Sequence, residues 1–287
     1  MESIVERKPH HVHWADITAD RIIKQRGDKE EYVLASGITP SGVVHFGNFR
    51  EVITTELVAR ALKDRGKKVR FIFSWDDYDT FRKVPLNLPK RDQLEEYLFQ
   101  PIVDTPDPYG EHESYAAHHE KSFEAQLLKV GVDLEPIYQA KKYRGGEYKE
   151  QIRLALQKRV EIRDILNEHR KTPYGDEYYP ISVYCEKHKT DQTTVTGYDG
   201  KDTISYTHNE TGYEGEINLN DTSLVKLPWR VDWPMRWAYE KVDFEPGGKD
   251  HSSQGGSYTT AKEIVKVFDW QAPISVSYTH LTLPTIE

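Results

Sequence analysis

Residues 32–51 read Y-V-L-A-S-G-I-T-P-S-G-V-V-H-F-G-N-F-R-E. Tyr32 to Ala35 form a short apolar strand that breaks at Ser36-Gly37. Thr39-Pro40-Ser41-Gly42 makes a tight turn, and a helix begins near His45, with Val52, Leu57 and Val58 continuing an apolar helical pattern. Strand, glycine-bearing turn and helix N-terminus together form an anion site, because the first helical N–H groups have no partner inside the helix. His45 and Asn48 lie three apart, share one helix face and reach the same ligand. On spacing alone, an ordinary βα turn with a solvated histidine accounts for the stretch equally well.

Outward from it, the helix runs from about 46 to 65 with Gly66 as its C-terminal punctuation, and Lys68 to Ser74 reads as a second buried strand. Strand, helix, strand is a βαβ unit, which predicts a parallel sheet with a right-handed crossover and ligands beyond the carboxyl ends of the strands. Upstream, residues 8 to 30 read as one amphipathic helix carrying Trp14, Ile17, Ile22 and Ile23, preceded by His10, His11 and His13 in a solvated N-terminus. Downstream, Asp76, Asp77 and Asp79 crowd the end of the second strand. Their repulsion calls for cations, which Arg82 and Lys83, a cationic substrate or Mg2+ would supply.

From about 95 to 220 the simple alternation stops, as an inserted α+β region would make it. Asp107, Glu111, His112 and His118 offer a mixed nitrogen and oxygen ligand set of the kind Zn2+ accepts, although helix caps and surface charge use the same residues. Helices at about 115–129 and 147–168 are expected to pack as an α-hairpin. The cations of the second (Arg153, Lys158, Arg159, Arg163, His169, Arg170 and Lys171) are interleaved with Glu150, Glu161 and Asp164. A solvated face explains them better than an RNA-facing strip. A β-rich stretch follows, with Cys185, His188 and His208 in the outline of a zinc ribbon and Thr211 where a fourth ligand would stand. The second informative block is V-K-L-P-W-R-V-D-W-P-M-R-W from Val225, followed by F-E-P-G-G-K-D-H from Phe244. Gly247-Gly248 allows close backbone approach, Asp250 suits ribose hydroxyls, and Trp229 and His251 suit the flanks of a lysine side chain. Asp232 is the candidate partner for an ε-ammonium.

The chain has 287 residues, 37% apolar and 30% charged, with a formal net charge of -8 and one cysteine. That is room for one large α/β domain with an insertion or for two smaller domains. A single cysteine excludes a disulfide framework and fits a reducing cytosol, and no run is long and apolar enough for a membrane span. The net charge argues against wholesale electrostatic binding to nucleic acid, so any RNA contact must come from local patches.

Gly37-Ile38-Thr39-Pro40-Ser41-Gly42 followed by His45-Phe46-Gly47-Asn48 resembles the His-Ile-Gly-His signature of class I aminoacyl-tRNA synthetases, with Asn in the second His position. Together with the Trp229–Trp237 and Phe244–His251 strings it resembles the class I lysyl-tRNA synthetases over about residues 10 to 273. The Asp107–His118 run resembles that family's zinc segment, with Glu111 where a Cys is frequent. The resemblance implies an α/β fold, a Rossmann-like parallel sheet (class I synthetase catalytic domain) with an α+β insertion. Residues 1–94 and 225–273 would be its halves, 95–224 the insertion and 274–287 an unrelated tail. It further implies ATP-dependent activation of lysine to lysyl-adenylate with Mg2+, possible zinc sites, transfer to tRNA(Lys), and a cytoplasmic, monomeric enzyme. His45 and Asn48 would be catalytic. Pro40, Gly42, Gly47, Gly248 and Asp250 would bind ATP with them, and Gly37, Thr39, Trp229, Asp232 and His251 would bind lysine. A second signature loop and an anticodon-binding domain, expected past Pro273, are not recognisable in this sequence, so weak ligand binding and poor aminoacylation are expected. The alternatives are another class I nucleotidyl-transfer enzyme and a non-catalytic tRNA-binding fragment.

Overall fold

The computed structural model describes residues 13–248 and 256–278. The opening helix is shorter than expected, α1 at Trp14–Arg26, with the His13 ring accepting from the Ala15 N–H as its cap. β1 (Glu31–Ile38) leads through the glycine turn into α2 (Phe46–Lys63), which returns the chain to β2 (Lys68–Trp75). β1 and β2 pair in parallel from Glu31 opposite Lys68 to Ile38 opposite Trp75, as the βαβ reading predicts. Gly66, at φ 74°, takes the left-handed turn between α2 and β2 that a residue with a Cβ avoids.

β2 is buried on both faces, as a central parallel strand must be. Phe71, Phe73 and Trp75 pack with Phe123 and Leu127, while Ile72 faces the larger core on the other side. α1 and α2 cover one face of β1, where Ala19, Ile22, Val58 and Leu62 pack with Tyr32 and Leu34.

The expected α-hairpin does not form. After the short helix α3 (Arg91–Glu95), α4 (Tyr115–Lys129) is itself a crossover, and Glu135–Tyr138 (β3) pairs in parallel with β2. The sheet therefore continues inside the region read as an insertion. Glu-Pro-Ile-Tyr is too short and too mixed to show a strand by alternation alone. The expected helix at 147–168 is two helices, α6 (Lys149–Gln157) and α7 (Arg159–Asn167), joined at Lys158 after the short α5 (Gln139–Arg144). The β-rich segment is a meander of β5 (Thr193–Tyr198), β6 (Thr203–His208) and β7 (Glu214–Asn218). It follows β4 (Ser182–Val183), which pairs antiparallel with β8 (Val225–Lys226).

α8 (Trp229–Glu240) then brings the chain back against the sheet. Trp229, Trp233 and Trp237 recur every four residues and line up along one helix face, Trp229 stacked on Trp233 and Trp237 tilted against it. Beyond it, Asp243 and Phe244 hydrogen-bond along the free edge of β1, and Ile274 bridges Phe244 in parallel. β9 (Gly247–Gly248) pairs in parallel with β10 (Ser277–Tyr278) after α9 (Ser257–Ile264). In sheet order β3, β2 and β1 are followed by the 243–248 and 274–278 segments, all parallel. A tail boundary at Pro273 thus falls where the sheet's last strand begins; residues 279–287 lie outside the described residues.

Candidate functional site

The parallel register carries the carboxyl ends of β1 and β2, the start of α2 and the 245–248 segment to one place, a cavity of about 370 Å³. Gly37, Thr39, Asn48, Glu51 and Ser74 line one side; Trp229, Trp233, Arg236, Glu245 and Gly248 line the other, with Asp76 and Asp79 at the end of β2. Gly37 is required by the strand pairing: a Cβ there would stand 2.8 Å from the Ser74 carbonyl oxygen. Its N–H donates to the Glu51 carboxylate at 3.0 Å, tying β1 to α2 across the turn.

The signature residues divide. His45 caps α2: its Nδ1 accepts from the Gly47 N–H at 3.0 Å, while Asn48 Oδ1 accepts from the His45 N–H at 3.3 Å, a reciprocal capping box. Asn48 lines the cavity; His45 is exposed and does not. Pro40, Gly42 and Gly47 shape the turn without lining the cavity. The Ser41 carbonyl between the first two accepts from the Tyr115 hydroxyl at 2.9 Å, which pins the turn to α4. Asp250 and His251 lie outside the described residues.

Asp232 does not face the ligand space. It is fully buried under α8, accepts from the Tyr143 hydroxyl and pairs with Arg236 at 3.0 Å. Arg236 also donates from Nη1 to Ser74 Oγ and Asp76, each at 2.6 Å, so it joins α8 to the end of β2. Burial pushes the Asp232 carboxyl up, and Arg236 and Lys226 oppose that. Asp79 accepts from the Thr39 hydroxyl at 2.8 Å and from Lys226. Burial raises it, yet Lys226 and Thr39 outweigh burial and hold it below the usual carboxylate range. Glu245 accepts from the indole N–H of Trp233 at 3.0 Å and from that of Trp237. Burial raises its carboxyl to about 7 despite those donors.

The cavity wall therefore carries Glu51, Asp76, Asp79 and Glu245 against one lining cation, Arg236, among the described residues. Sequence reasoning located the Asp76–Asp79 stretch without roles. It missed Glu51, Lys226 and Arg236 as site residues, and Glu245 stood unremarked in a quoted string. Nothing local marks Glu51, which matters only because α2 folds back beside Gly37.

Of the four residues expected to hold zinc, three come together: ligand atoms of Glu111, His112 and His118 lie within 4.8 Å of one another. Asp107 instead organises the loop, accepting from the N–H groups of Tyr109, Glu111 and His112. His118 Nδ1 is buried without a hydrogen-bond partner and lies 3.4 Å from the Asp107 carboxylate. In the ribbon-like segment, Cys185, His188 and His208 do not converge at metal spacing among the described residues. The Thr211 hydroxyl sits 3.2 Å from His188 Nε2 and 3.1 Å from His208 Nδ1, and His208 Nε2 faces the Thr190 hydroxyl at 3.0 Å. Hydrogen bonds fill the place of a metal there.

A parallel sheet with a glycine turn, a capped crossover helix and an acidic cavity at its carboxyl edge is the architecture of an α/β domain of the class I synthetase kind. The chain matches the family described as tRNA synthetases class I (K) over residues 12–286 and belongs to it. It is 49% identical over 275 residues to a protein of Treponema pallidum (strain Nichols) named lysine--tRNA ligase, covering 95% of this chain and 52% of that one. To the protein of the same name from Thermococcus kodakarensis it is 51% identical over 272 residues, covering 93% of this chain and 51% of that one. The chain spans about half the length of these relatives. Tryptophanyl-tRNA synthetase of Plasmodium falciparum superposes with a TM-score of 0.45 at 11% identity, covering 91% of this chain and 53% of that one. No described helix is long and apolar enough to cross a membrane.

Proposed function

We propose that this domain binds lysine and ATP and joins them as lysyl-adenylate, the amino acid being then passed to tRNA(Lys). One observation carries the reading: a cavity walled by four carboxylates and a single lining cation suits a substrate with two ammonium groups and an alkyl stem. Trp229 and Trp233, stacked 5.0 Å apart, give that stem its apolar wall. Glu51, Asp76, Asp79 and Glu245 take the place given to Asp232 as partners for the ammonium groups. In the adenylation step the substrate carboxylate attacks the α-phosphate in line, so the protein's part is placement and charge stabilisation. Asn48 and the α2 N-terminus face the phosphates, and Gly248 allows close approach of the nucleotide. Mg2+ would accompany the ATP and offset phosphate charge. Glu111, His112 and His118 would hold Zn2+ as a structural ion on the α4 loop.

A thermal-shift panel with lysine, glutamate and ATP tests the central reading, because only ligands that prefer the folded chain raise its melting temperature. Lysine and ATP are expected to raise it and glutamate to leave it unchanged. A glutamate shift without a lysine shift would move the protein to another amino acid. Metal analysis of the purified chain and of its His118→Ala variant tests the zinc assignment, with stoichiometric zinc expected only in the former.

A further inference from the structure

The ribbon-like segment carries hydrogen bonds where a metal would stand, yet its turn reaches the residues that end β2. Asp79 lines the main cavity, and Tyr78, Asp79 and Thr80 are each held from the module built on β4, β5 and β8. Tyr184, just after β4, donates its hydroxyl to the Tyr78 carbonyl at 2.9 Å and lies 3.1 Å from the Thr80 hydroxyl. Lys226, in β8, pairs with the Asp79 carboxylate. Asp191, two residues before β5, accepts from the Thr80 hydroxyl at 2.7 Å.

A loop ion pair is the plainer account of Asp191, which also accepts from Arg82 at 2.5 Å. Arg82 is exposed, and a pair with one solvated partner contributes little. That account leaves out the rest of the arrangement. The Asp191 side chain is 9% exposed, and its better-buried partner is the Thr80 hydroxyl beside Asp79. Its N–H donates to the Phe99 carbonyl at 2.9 Å, and the Phe99 N–H donates to the Phe81 carbonyl at 2.8 Å. Phe99 stands at φ 68°, a region that side chains disfavour, so these bonds hold a conformation that the residue would not keep alone. The place of Asp191 is in turn set by the ribbon. The Cys185 N–H donates to the Thr190 carbonyl at 2.8 Å, and the Thr190 hydroxyl lies 3.0 Å from His208 Nε2. The hydrogen bonds that fill the place of a metal thus end one residue from the carboxylate that holds Thr80.

We propose that Asp191 is a positioning residue for amino-acid binding: by holding Thr80 it fixes the Asp79 carboxylate in the cavity, with the ribbon as its mount. Asp79 has the Thr39 hydroxyl and Lys226 as side-chain partners, so a shift of the backbone at Thr80 would carry its carboxylate away from both. The inference rests on the adenylation reading for the identity of the ligand, not for the clamp itself.

The test measures lysine and ATP affinity on the whole chain by calorimetry. Asp191→Ala removes the acceptor and is expected to weaken lysine about tenfold, with ATP within about twofold of wild type. Asp191→Asn keeps an acceptor oxygen for Thr80 and is expected to bring lysine back to within about threefold. Thr80→Val keeps the shape and loses the hydroxyl, so it should match Asp191→Ala, and it carries the test if that variant does not fold. A double-mutant cycle supplies the reading that a merely structural role would not move. In an Asp79→Asn background, Asp191→Ala should cost less than about twofold in lysine affinity, because the charge it positions is gone. Additive losses in that cycle, equal losses for lysine and ATP, or lysine affinity within twofold of wild type in both Asp191→Ala and Thr80→Val would each overturn the proposal. If the wild-type chain binds no lysine, the adenylation reading fails, and the clamp is read by hydrogen exchange at Ile102, whose N–H donates to the Asp79 carbonyl at 2.8 Å. Faster exchange there in Asp191→Ala upholds the clamp; unchanged exchange overturns it.

Discussion

Glu245 has an unusual position for a carboxylate that lines a cavity. It is 8% exposed, held by two indole N–H groups, and burial has raised it to about 7. In the empty cavity near neutral pH it is partly protonated. A substrate ammonium in the same cavity favours the charged form and lowers that pKa, so binding must expel a proton. Lysine affinity is therefore expected to rise as pH climbs through about 7 and to level off above it. Calorimetry of lysine binding near pH 7 in two buffers of different ionisation enthalpy should show a fraction of a proton released. Glu245→Gln should remove the release and weaken lysine. A buffer-independent heat in the wild type would mean that the ammonium does not sense Glu245. Asp77, one strand-end residue away from the cavity wall, is raised to about 7 by burial, although the Ala140 N–H donates to it at 2.8 Å. A carboxyl whose folded pKa lies above the unfolded value of 3.8 carries no penalty below that value. The penalty grows as pH rises towards about 7. Asp77→Asn keeps the acceptor and sheds the charge, so its melting temperature relative to wild type should improve from pH 4 to pH 8.

At the scale of elements, the start of α2 does two jobs that substitution can separate. His45 and Asn48 cap the helix reciprocally, which is worth roughly 0.5–2 kcal/mol. The His45 ring is also exposed at the start of α2, where the phosphates of the proposed nucleotide would meet the helix N-terminus. Asn is a favoured N-cap, so His45→Asn is expected to keep the melting temperature and lose ATP affinity. His45→Ala is expected to lose both. Loss of stability in Ala with unchanged ATP binding in both variants would leave His45 as a cap alone. The elements also show what could be read in advance. The βαβ unit of β1, α2 and β2 was legible because two apolar runs flank one helical period and a glycine turn. The third strand was hidden because Glu135-Pro136-Ile137-Tyr138 has one fully buried apolar residue and becomes a strand by pairing with β2. Asp232 misled for a related reason. Sequence placed it beside the tryptophans, but helical geometry turns it from the cavity towards Tyr143 and Arg236.

Across the whole molecule, one buried ionic network fastens the parts that form the site. Arg236 on α8 holds Asp76 at the end of β2 and Asp232 on its own helix, and Asp232 in turn holds Tyr143 from α5. Lys226, next to that helix, holds Asp79 and through it Thr39 on the glycine turn. The 1–94 and 225–273 parts of the chain thus share charges across long sequence separations, and the Tyr143 hydroxyl ties the region between them to Asp232, as no local pattern could reveal. Removing one buried partner leaves the others desolvated and uncompensated, which costs about 3–5 kcal/mol. Arg236→Ala strands Asp76 and Asp232 together, and its loss should lower the melting temperature at about 2–4 °C per kcal/mol for a chain of this size. Arg236→Lys keeps one charge but lacks the planar fork that spans Ser74, Asp76 and Asp232, so it should fall between Ala and wild type. If the network also sets the cavity's charge, the double variant Arg236→Met with Asp232→Leu should recover part of the lost stability and still bind lysine poorly, since Asp76 remains without its partner. Chemical denaturation of the four proteins, with lysine binding measured on each, checks this. A double variant as unstable as Arg236→Ala would show that Asp76, rather than the Asp232 pair, carries the cost.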